Sequence, residues 1–314
     1  MPYFFGQTAD CMSQGFLYAL IALFLWGIHG PAGRYLSLQG VDMYFVFALR
    51  FWLGSLVLFL YLMIKKSLRF AWFENKKQIL LIAIVGIFGN SLLYHLTLNY
   101  LPGTLVMVLE NLSPIFVLFA SFYYLRVKPS LKEIAALLVS FIGIGLIILS
   151  KDKFPELQDG YTVGVILGIF TGLSFGAYIF YSAQYVQPLK NDPIKIIQFL
   201  LKVFVVSAVL GTPFLFTSKA PPANSIEWFW LIEMGVFQSG FAYIFWNYAL
   251  SRLNTNTASI LFLLTIVFTT INEILFLGLR LNTYLVAGSI MIFLAGYLLS
   301  FQSKSSVKVI DIKG

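Results

Sequence analysis

From Thr162 to Val186 the chain reads TVGVILGIFTGLSFGAYIFYSAQYV, twenty-five residues without a charged side chain. An α-helix rises 1.5 Å per residue, so this run exceeds the roughly 20 residues needed to cross about 30 Å of hydrocarbon. Gly164, Gly168, Gly172 and Gly176 recur at every fourth position in it. That spacing stacks them on one helix face, where a neighbouring backbone can come close. The run predicts a membrane-spanning helix with a packing seam.

Nine further apolar runs of similar length flank it: Gln14 to Arg34, Met43 to Ile64, Lys77 to Leu98, Thr104 to Tyr124, Leu131 to Leu149, Ile194 to Phe216, Glu227 to Leu250, Thr255 to Leu277 and Thr283 to Phe301. The links between them are short, so no soluble domain is inserted. Composition agrees, with 59% hydrophobic and 11% charged residues and a mean hydropathy of +0.86, against roughly 25% charge in a soluble domain. The expected fold is an all-α integral membrane protein of ten transmembrane helices.

Net charge is +8, and its meaning depends on where it sits. With both termini on one side, that side collects Lys65, Lys66, Arg69, Lys76, Lys77, Arg126, Lys128, Lys132, Lys190, Lys195, Arg252, Lys304, Lys308 and Lys313, fourteen in all. The other side holds five: Arg34, Lys151, Lys153, Lys219 and Arg280. The positive-inside rule then places both termini in the cytoplasm of a multi-pass cell-membrane protein, expected in a bacterial inner membrane. No basic patch remains for a nucleic acid. The opening MPYFFGQTADCMSQ carries no Lys or Arg, so no cleaved signal is expected and the first helix stays as a span. A single cysteine, Cys11, excludes an internal disulfide and a cysteine metal site. With no HExxH or GxxxxGK[ST] pattern, neither metal nor cofactor is expected.

Shifting the chain by 149 to 152 residues aligns its halves. Gly15, Ala19 and Gly27 meet Gly164, Gly168 and Gly176, and Trp26 stands opposite Phe175. Gly86 and Tyr94 meet Gly235 and Tyr243, and Leu101, Ala136 and Gly143 meet Leu253, Gly288 and Ala295. Residues 14–150 and 161–301 thus form two repeats of five spans, with residues 1–13 and 302–314 as cytoplasmic tails. Five is odd, so the second half enters the membrane from the opposite side. Such inverted repeats let two similar halves open alternately around a central site, although duplication also occurs in channels, scaffolds and membrane enzymes.

Four segments resemble the drug/metabolite transporter superfamily, in its ten-span EamA-like branch. WGIHGPAGRYL (Trp26 to Leu36) is similar to its Trp-Gly first helix and ALRFWLG (Ala48 to Gly54) to its arginine-bearing second. ENLSPIF (Glu110 to Phe116) resembles the fourth-helix segment with a central proline, and Ala136 to Gly145 the small-residue pattern of the fifth. Val127 and Leu279 stand where the family commonly has an acidic residue, and Ile266 where the second repeat often has proline. The resemblance implies a secondary carrier of amino acids or related polar or amphipathic solutes, working as an exporter, without ATPase machinery and not an enzyme.

Ionisable residues at mid-membrane are costly, roughly 2.5 to 3.5 kcal/mol on insertion scales, and so point to a site. Arg50, Glu110, Lys202, Glu233, Glu273, His29 and His95 lie within spans. Arg50 and Glu110 each sit about 10 Å inside the outer end of their helices and can meet as a pair, either as a structural tie or as a gate and substrate anchor. Glu273 shares a polar face with Thr265 and Thr269 beside Asn272. His29, Arg50, His95, Glu110 and Glu273 form the candidate gating or coupling set of an outer-half vestibule. Glu233 suits an interfacial role and Lys202 neutralisation or snorkelling. Trp26, Asn90, Tyr94, Asn111, Gln238, Tyr243, Trp246 and Asn247 form the candidate substrate-binding set, with amides for hydrogen bonds and aromatic walls for apolar parts. The expected partners are a small-molecule substrate and the bilayer, for a monomer or homodimer. Against a carrier stand a passive channel, a scaffold subunit, and an intramembrane enzyme using His29 or His95 as base, for which no nucleophile or metal-ligand spacing is present.

Overall fold

The computed structural model describes residues 3–68, 75–98, 100–101, 103–149, 160–277 and 283–300, and among them every regular element is helical. In the first half these are α1 (Tyr3–Gly27), α2 (His29–Leu38), α3 (Met43–Ile64), α4 (Lys76–Leu81), α5 (Asn90–Thr97), α6 (Gly103–Glu110), α7 (Ser113–Leu125) and α8 (Leu131–Leu149). The second half contains α9 (Tyr161–Val186), α10 (Pro193–Thr217), α11 (Ser225–Glu233), α12 (Ala242–Arg252), α13 (Thr255–Leu261), α14 (Leu264–Leu277) and α15 (Thr283–Ser300). Two π-helical stretches, Ile82–Gly89 and Met234–Phe241, join α4 to α5 and α11 to α12 without a gap.

By length and composition, seven helical runs among the described residues can cross a membrane: Ser13–Leu38, Met43–Ile64, Lys76–Thr97, Val106–Leu125, Thr162–Leu189, Pro193–Thr217 and Thr255–Asn272, with Val286–Leu299 a shorter apolar helix. The expected span Glu227 to Leu250 is helical but lies outside that set, since Glu227, Glu233, Gln238 and Asn247 dilute its hydropathy. The expected span Leu131 to Leu149 is helical throughout, as α8.

Helix starts follow the side chains available to cap them. Asp42 accepts from Tyr44 N at 2.9 Å to open α3, and Asp192 accepts from Lys195 N at 3.1 Å to open α10, where Pro193 occupies the first turn. Ser130 and Glu133 form a reciprocal capping box at α8, with Ser130 N donating to Glu133 Oε2 at 2.8 Å and Glu133 N to Ser130 Oγ at 3.2 Å.

Three of the expected continuous spans are broken near their middles. Pro31 and Pro114 remove an N–H and crowd the carbonyl four residues back, and they follow the breaks at Ile28 and at Asn111–Leu112. The break at Phe262–Leu263 has no proline. There Leu263 N and Thr265 N reach carbonyls three residues back, Ile260 O at 3.1 Å and Phe262 O at 2.9 Å, so Ile266 does not restore a continuous helix.

Tertiary hydrogen bonds define the two ends of the bundle. Asp42 N donates to Ala220 O at 2.8 Å, tying the α2–α3 turn to the α10–α11 loop. At the other end Gln198 Nε2 reaches Ser67 O at 2.8 Å, and Gln187 Nε2 reaches Leu253 O and Thr255 Oγ1, each at 3.2 Å. The contacts pair the halves crosswise: α1 packs on α12 and α14, and α9 packs on α5 and α7. Two further pairs, α3 with α10 and α8 with α15, take one helix from each half.

The glycine seam of α9 lies against α6 and α7. A Cβ at Gly168 would stand 2.3 Å from Leu109 Cδ1, and one at Gly172 would stand 2.5 Å from the Leu109 carbonyl oxygen. Gly27 of α1 is equally close to α14, with Phe268 Cβ 2.6 Å from where its own would be. The helices that cross between halves therefore touch backbone to backbone, which positions the residues one turn away with little slack.

Candidate functional site

Where the crosswise pairs meet, a cavity is lined by Trp26, His29, Arg50, Asn90, Ser91, Tyr94, Met107, Glu110, Phe175, Tyr243, Phe262 and Thr265. Its wall draws on both halves. The breaks in the α1–α2, α6–α7 and α13–α14 runs place His29, Glu110 and Phe262 on it beside a non-helical step.

Arg50 is buried, and its Nε donates to Ser239 Oγ at 2.8 Å. Its Nη1 lies 3.4 Å from each ring nitrogen of His29. Gln238 fixes the imidazole. Gln238 Nε2 donates to Glu233 Oε2 at 2.7 Å, which turns its Oε1 toward His29 Nδ1 at 2.6 Å. His29 therefore carries its proton on Nδ1 and presents Nε2 to the guanidinium as an acceptor. On the opposite wall Asn90 Nδ2 donates to Glu110 Oε1 at 3.0 Å and to Thr171 O at 3.2 Å.

Arg50 and Glu110 share the cavity but do not close on each other as the sequence suggested. Each is held by neutral partners, Ser239 and His29 for the cation and Asn90 for the anion. Burying a charge without a counter-ion is unfavourable unless other groups solvate it. This arrangement keeps a guanidinium and a carboxyl group directed at the same small space.

The floor is aromatic. Ring centroids of Trp26 lie 5.0 Å from Tyr243, 5.4 Å from Trp246, 5.8 Å from Phe175 and 6.0 Å from Phe262, while Phe175 and Phe262 approach to 4.4 Å. These rings close the cavity toward the α9–α10 end. Toward the α2–α3 end, the His29 ring lies 5.1 Å from Tyr94 and 6.1 Å from His95. His95 donates from Nδ1 to Ser91 O at 2.6 Å and lines a second cavity with Ser37, Gly40, Val41, Asp42, Met43 and Tyr44.

Seven of the anticipated residues thus line the central cavity: Trp26, His29, Arg50, Asn90, Tyr94, Glu110 and Tyr243. Gln238 and His95 stand directly behind it. Asn111, Trp246 and Asn247 are fully buried and do not line it. Glu273 falls on α14, and its side chain lies outside the described residues. Glu233 is half-buried and accepts from Gln238 Nε2. Lys202 is buried within α10 rather than snorkelling to a surface.

Ser91, Met107, Phe175, Phe262 and Ser239 belong to the site although helix-face reasoning passed over them. Phe175 had a signal, as the repeat partner of Trp26. Ser239 had none, because the π stretch inserts a residue into the turn and rotates everything after it.

Both π stretches also direct carbonyls at the helix that crosses from the other half. Gln238 O accepts from Trp26 Nε1 at 3.0 Å, and Val85 O accepts from Ser174 Oγ. Trp26→Phe keeps the aromatic floor but removes the donor, and an unmet buried carbonyl costs about 1–3 kcal/mol. Thermal unfolding of that variant is expected below wild type, and an unchanged midpoint would show the bond to be idle.

A family model described as the EamA-like transporter family matches residues 13–149 and again 162–301. An uncharacterised transporter of Archaeoglobus fulgidus is 24% identical over 292 residues, covering 91% of this chain and 98% of that protein. A biotin transporter of Salmonella typhimurium is 24% identical over 250 residues, covering 77% of this chain and 78% of its own length. A solved crystal structure superposes with a TM-score of 0.73 at 18% identity, covering 91% of this chain and 96% of that one, a likeness of fold.

Proposed function

The chain belongs to the EamA-like transporter family, and on that premise we propose that it is a secondary exporter of small amphipathic metabolites, amino acids or related solutes, working by alternating access. In this reading ten helices cross a cell membrane as two inverted repeats, residues 14–150 and 161–301, with both termini cytoplasmic. The crosswise packing of α1 and α9 supports the repeat, because each makes in the opposite half the contacts that its counterpart makes.

One observation carries the substrate class: Arg50 and Glu110 face a common cavity without pairing, above a floor of Trp26, Phe175, Tyr243 and Phe262. The guanidinium offers its remaining N–H donors to a carboxylate, the Glu110 carboxylate accepts from an ammonium, and the rings take an apolar side group. A solute with both charges and a hydrocarbon part uses all three.

The test is a thermal-stability screen of the purified protein with amino acids, amines, nucleosides, sugars and biotin, the last because one relative is named for it. A ligand that binds only the folded form raises apparent stability by mass action, by about 2.7 kcal/mol at 100 times its dissociation constant. Zwitterionic solutes with an apolar side group are expected to give the largest rise. A response confined to sugars or nucleosides would contradict the proposed class.

A further inference from the structure

Several buried polar atoms without a hydrogen-bond partner belong to helices packed around α9. Among the described residues they include Asn111 Oδ1, Ser113 Oγ, Ser121 Oγ, Trp246 Nε1, Asn247 Oδ1 and both side-chain polar atoms of Asn256. Apart from Asn111, in the turn that leads into α7, these residues sit on α7, α12 and α13; α13 packs on α7 and α12, and all three pack on α9. Asn247 and Ser113 are wholly inaccessible and Asn256 is 1% exposed. Counting 1.5 Å per residue, Asn247 lies about 8 Å from the Arg252 end of α12. Asn256 lies in the first turn of α13, so the seam runs from the floor to the α9–α10 end.

Each unmet polar group costs about 1–3 kcal/mol in a buried setting. In a helix bundle meant to stay closed, apolar side chains of the same size would be the stable choice. Asn247 does have one strong contact, donating to Tyr178 OH at 2.6 Å and to Tyr243 O at 2.9 Å, but its carbonyl oxygen faces none. Trp246 has its ring against Trp26 at 5.4 Å and Phe262 at 6.1 Å while its N–H is unused. Water or solute entering between α7, α9, α12 and α13 would match these groups.

We infer that this seam is the second half of the solute path, with Asn247, Trp246 and Asn256 contacting solute in a conformation open to the α9–α10 end. The assignment rests on the alternating-access reading. The central cavity serves the conformation described here; parting of the Trp26, Tyr243, Phe175 and Phe262 rings joins it to the seam. The amides and the indole N–H then supply the hydrogen bonds that Arg50, Glu110 and Asn90 supply above the floor. Asn247 and Trp246 thus act on the same solute at a later stage of its passage.

The experiment uses the full chain with Cys11→Ser, which leaves no native thiol, and single cysteines at Asn247, at the water-exposed Lys190 and at the outward-facing Phe119. A membrane-impermeant thiol reagent is applied separately to each side of oriented vesicles. Minor conformations are populated at about 0.1–10%, so Asn247→Cys should label about tenfold to a thousandfold more slowly than Lys190→Cys, and only from the side that labels Lys190→Cys. Phe119→Cys should stay unlabelled. Labelling of Asn247→Cys from the opposite side, or none from either while the protein moves solute, overturns the assignment alone. Labelling from the Lys190 side in a protein that moves no solute supports the seam and sinks the transporter reading instead. Should Asn247→Cys fail to fold, the pair Asn247→Leu with Tyr178→Phe removes both polar partners; retained stability with at least tenfold lower flux supports the proposal, and unchanged flux refutes it.

Discussion

Arg50→Leu is expected to lower affinity for the stabilising solute by about 100-fold, and Arg50→Lys by about tenfold, because a charged hydrogen bond is worth about 1.5–3 kcal/mol and an ammonium lacks the planar fork. The guanidinium is positioned by one bond to Ser239 at 2.8 Å and by the acceptor nitrogen of His29 at 3.4 Å, which leaves donors free for a ligand. Lysine keeps the charge but cannot hold Ser239 and a carboxylate in the same geometry. Stability should also fall, by about 1–3 kcal/mol for each of Ser239 Oγ and His29 Nε2 left unmet, but no directly paired counter-ion is stranded. Ligand-dependent melting curves of the two variants separate these effects. Affinity equal to wild type in Arg50→Leu would remove Arg50 from the site.

Gly172→Ala should destabilise the fold strongly, although it adds one methyl group. That methyl would sit 2.5 Å from the Leu109 carbonyl oxygen, an atom of the backbone that no rotamer change can move aside. Either α9 or α6 must shift, and overpacking of this sort costs about 1–3 kcal/mol or more. A melting point lower by roughly 5–10 °C is expected on that basis. Gly145→Ala is the control, since nothing lies within 4 Å of its added Cβ; it should leave the midpoint unchanged or raise it slightly, alanine being the better helix former. Equal behaviour of the two variants would mean that the α9 seam tolerates separation.

How much of this was legible beforehand depended on what the bilayer penalises. His29, Arg50, Asn90 and Glu110 stood out because polar groups are expensive in hydrocarbon, and the structure puts all four on one cavity. Tyr94 and Tyr243 were reached through the repeat and helical spacing. Tyr243, Trp246 and Asn247 entered the candidate binding set together, yet of the three only Tyr243 lines the cavity. All three lie in the regular helix α12, but Trp246 and Asn247 sit one turn nearer its Arg252 end, where Trp246 packs under Trp26. Ser239 was hidden because it lies inside the π stretch Met234–Phe241. The breaks after Ile28 and at Asn111–Leu112 could be anticipated from Pro31 and Pro114, whereas the break at Phe262–Leu263 arises without proline and leaves no mark in the residues around it.

Counterflow across proteoliposomes tests the account most directly. Vesicles carrying the wild-type chain and preloaded with the unlabelled stabilising solute should accumulate external labelled solute transiently and saturably, and those carrying Arg50→Leu should not. Uptake that rises linearly with concentration, ignores preloading, or persists in Arg50→Leu would contradict a carrier whose site is the cavity between Arg50 and Glu110.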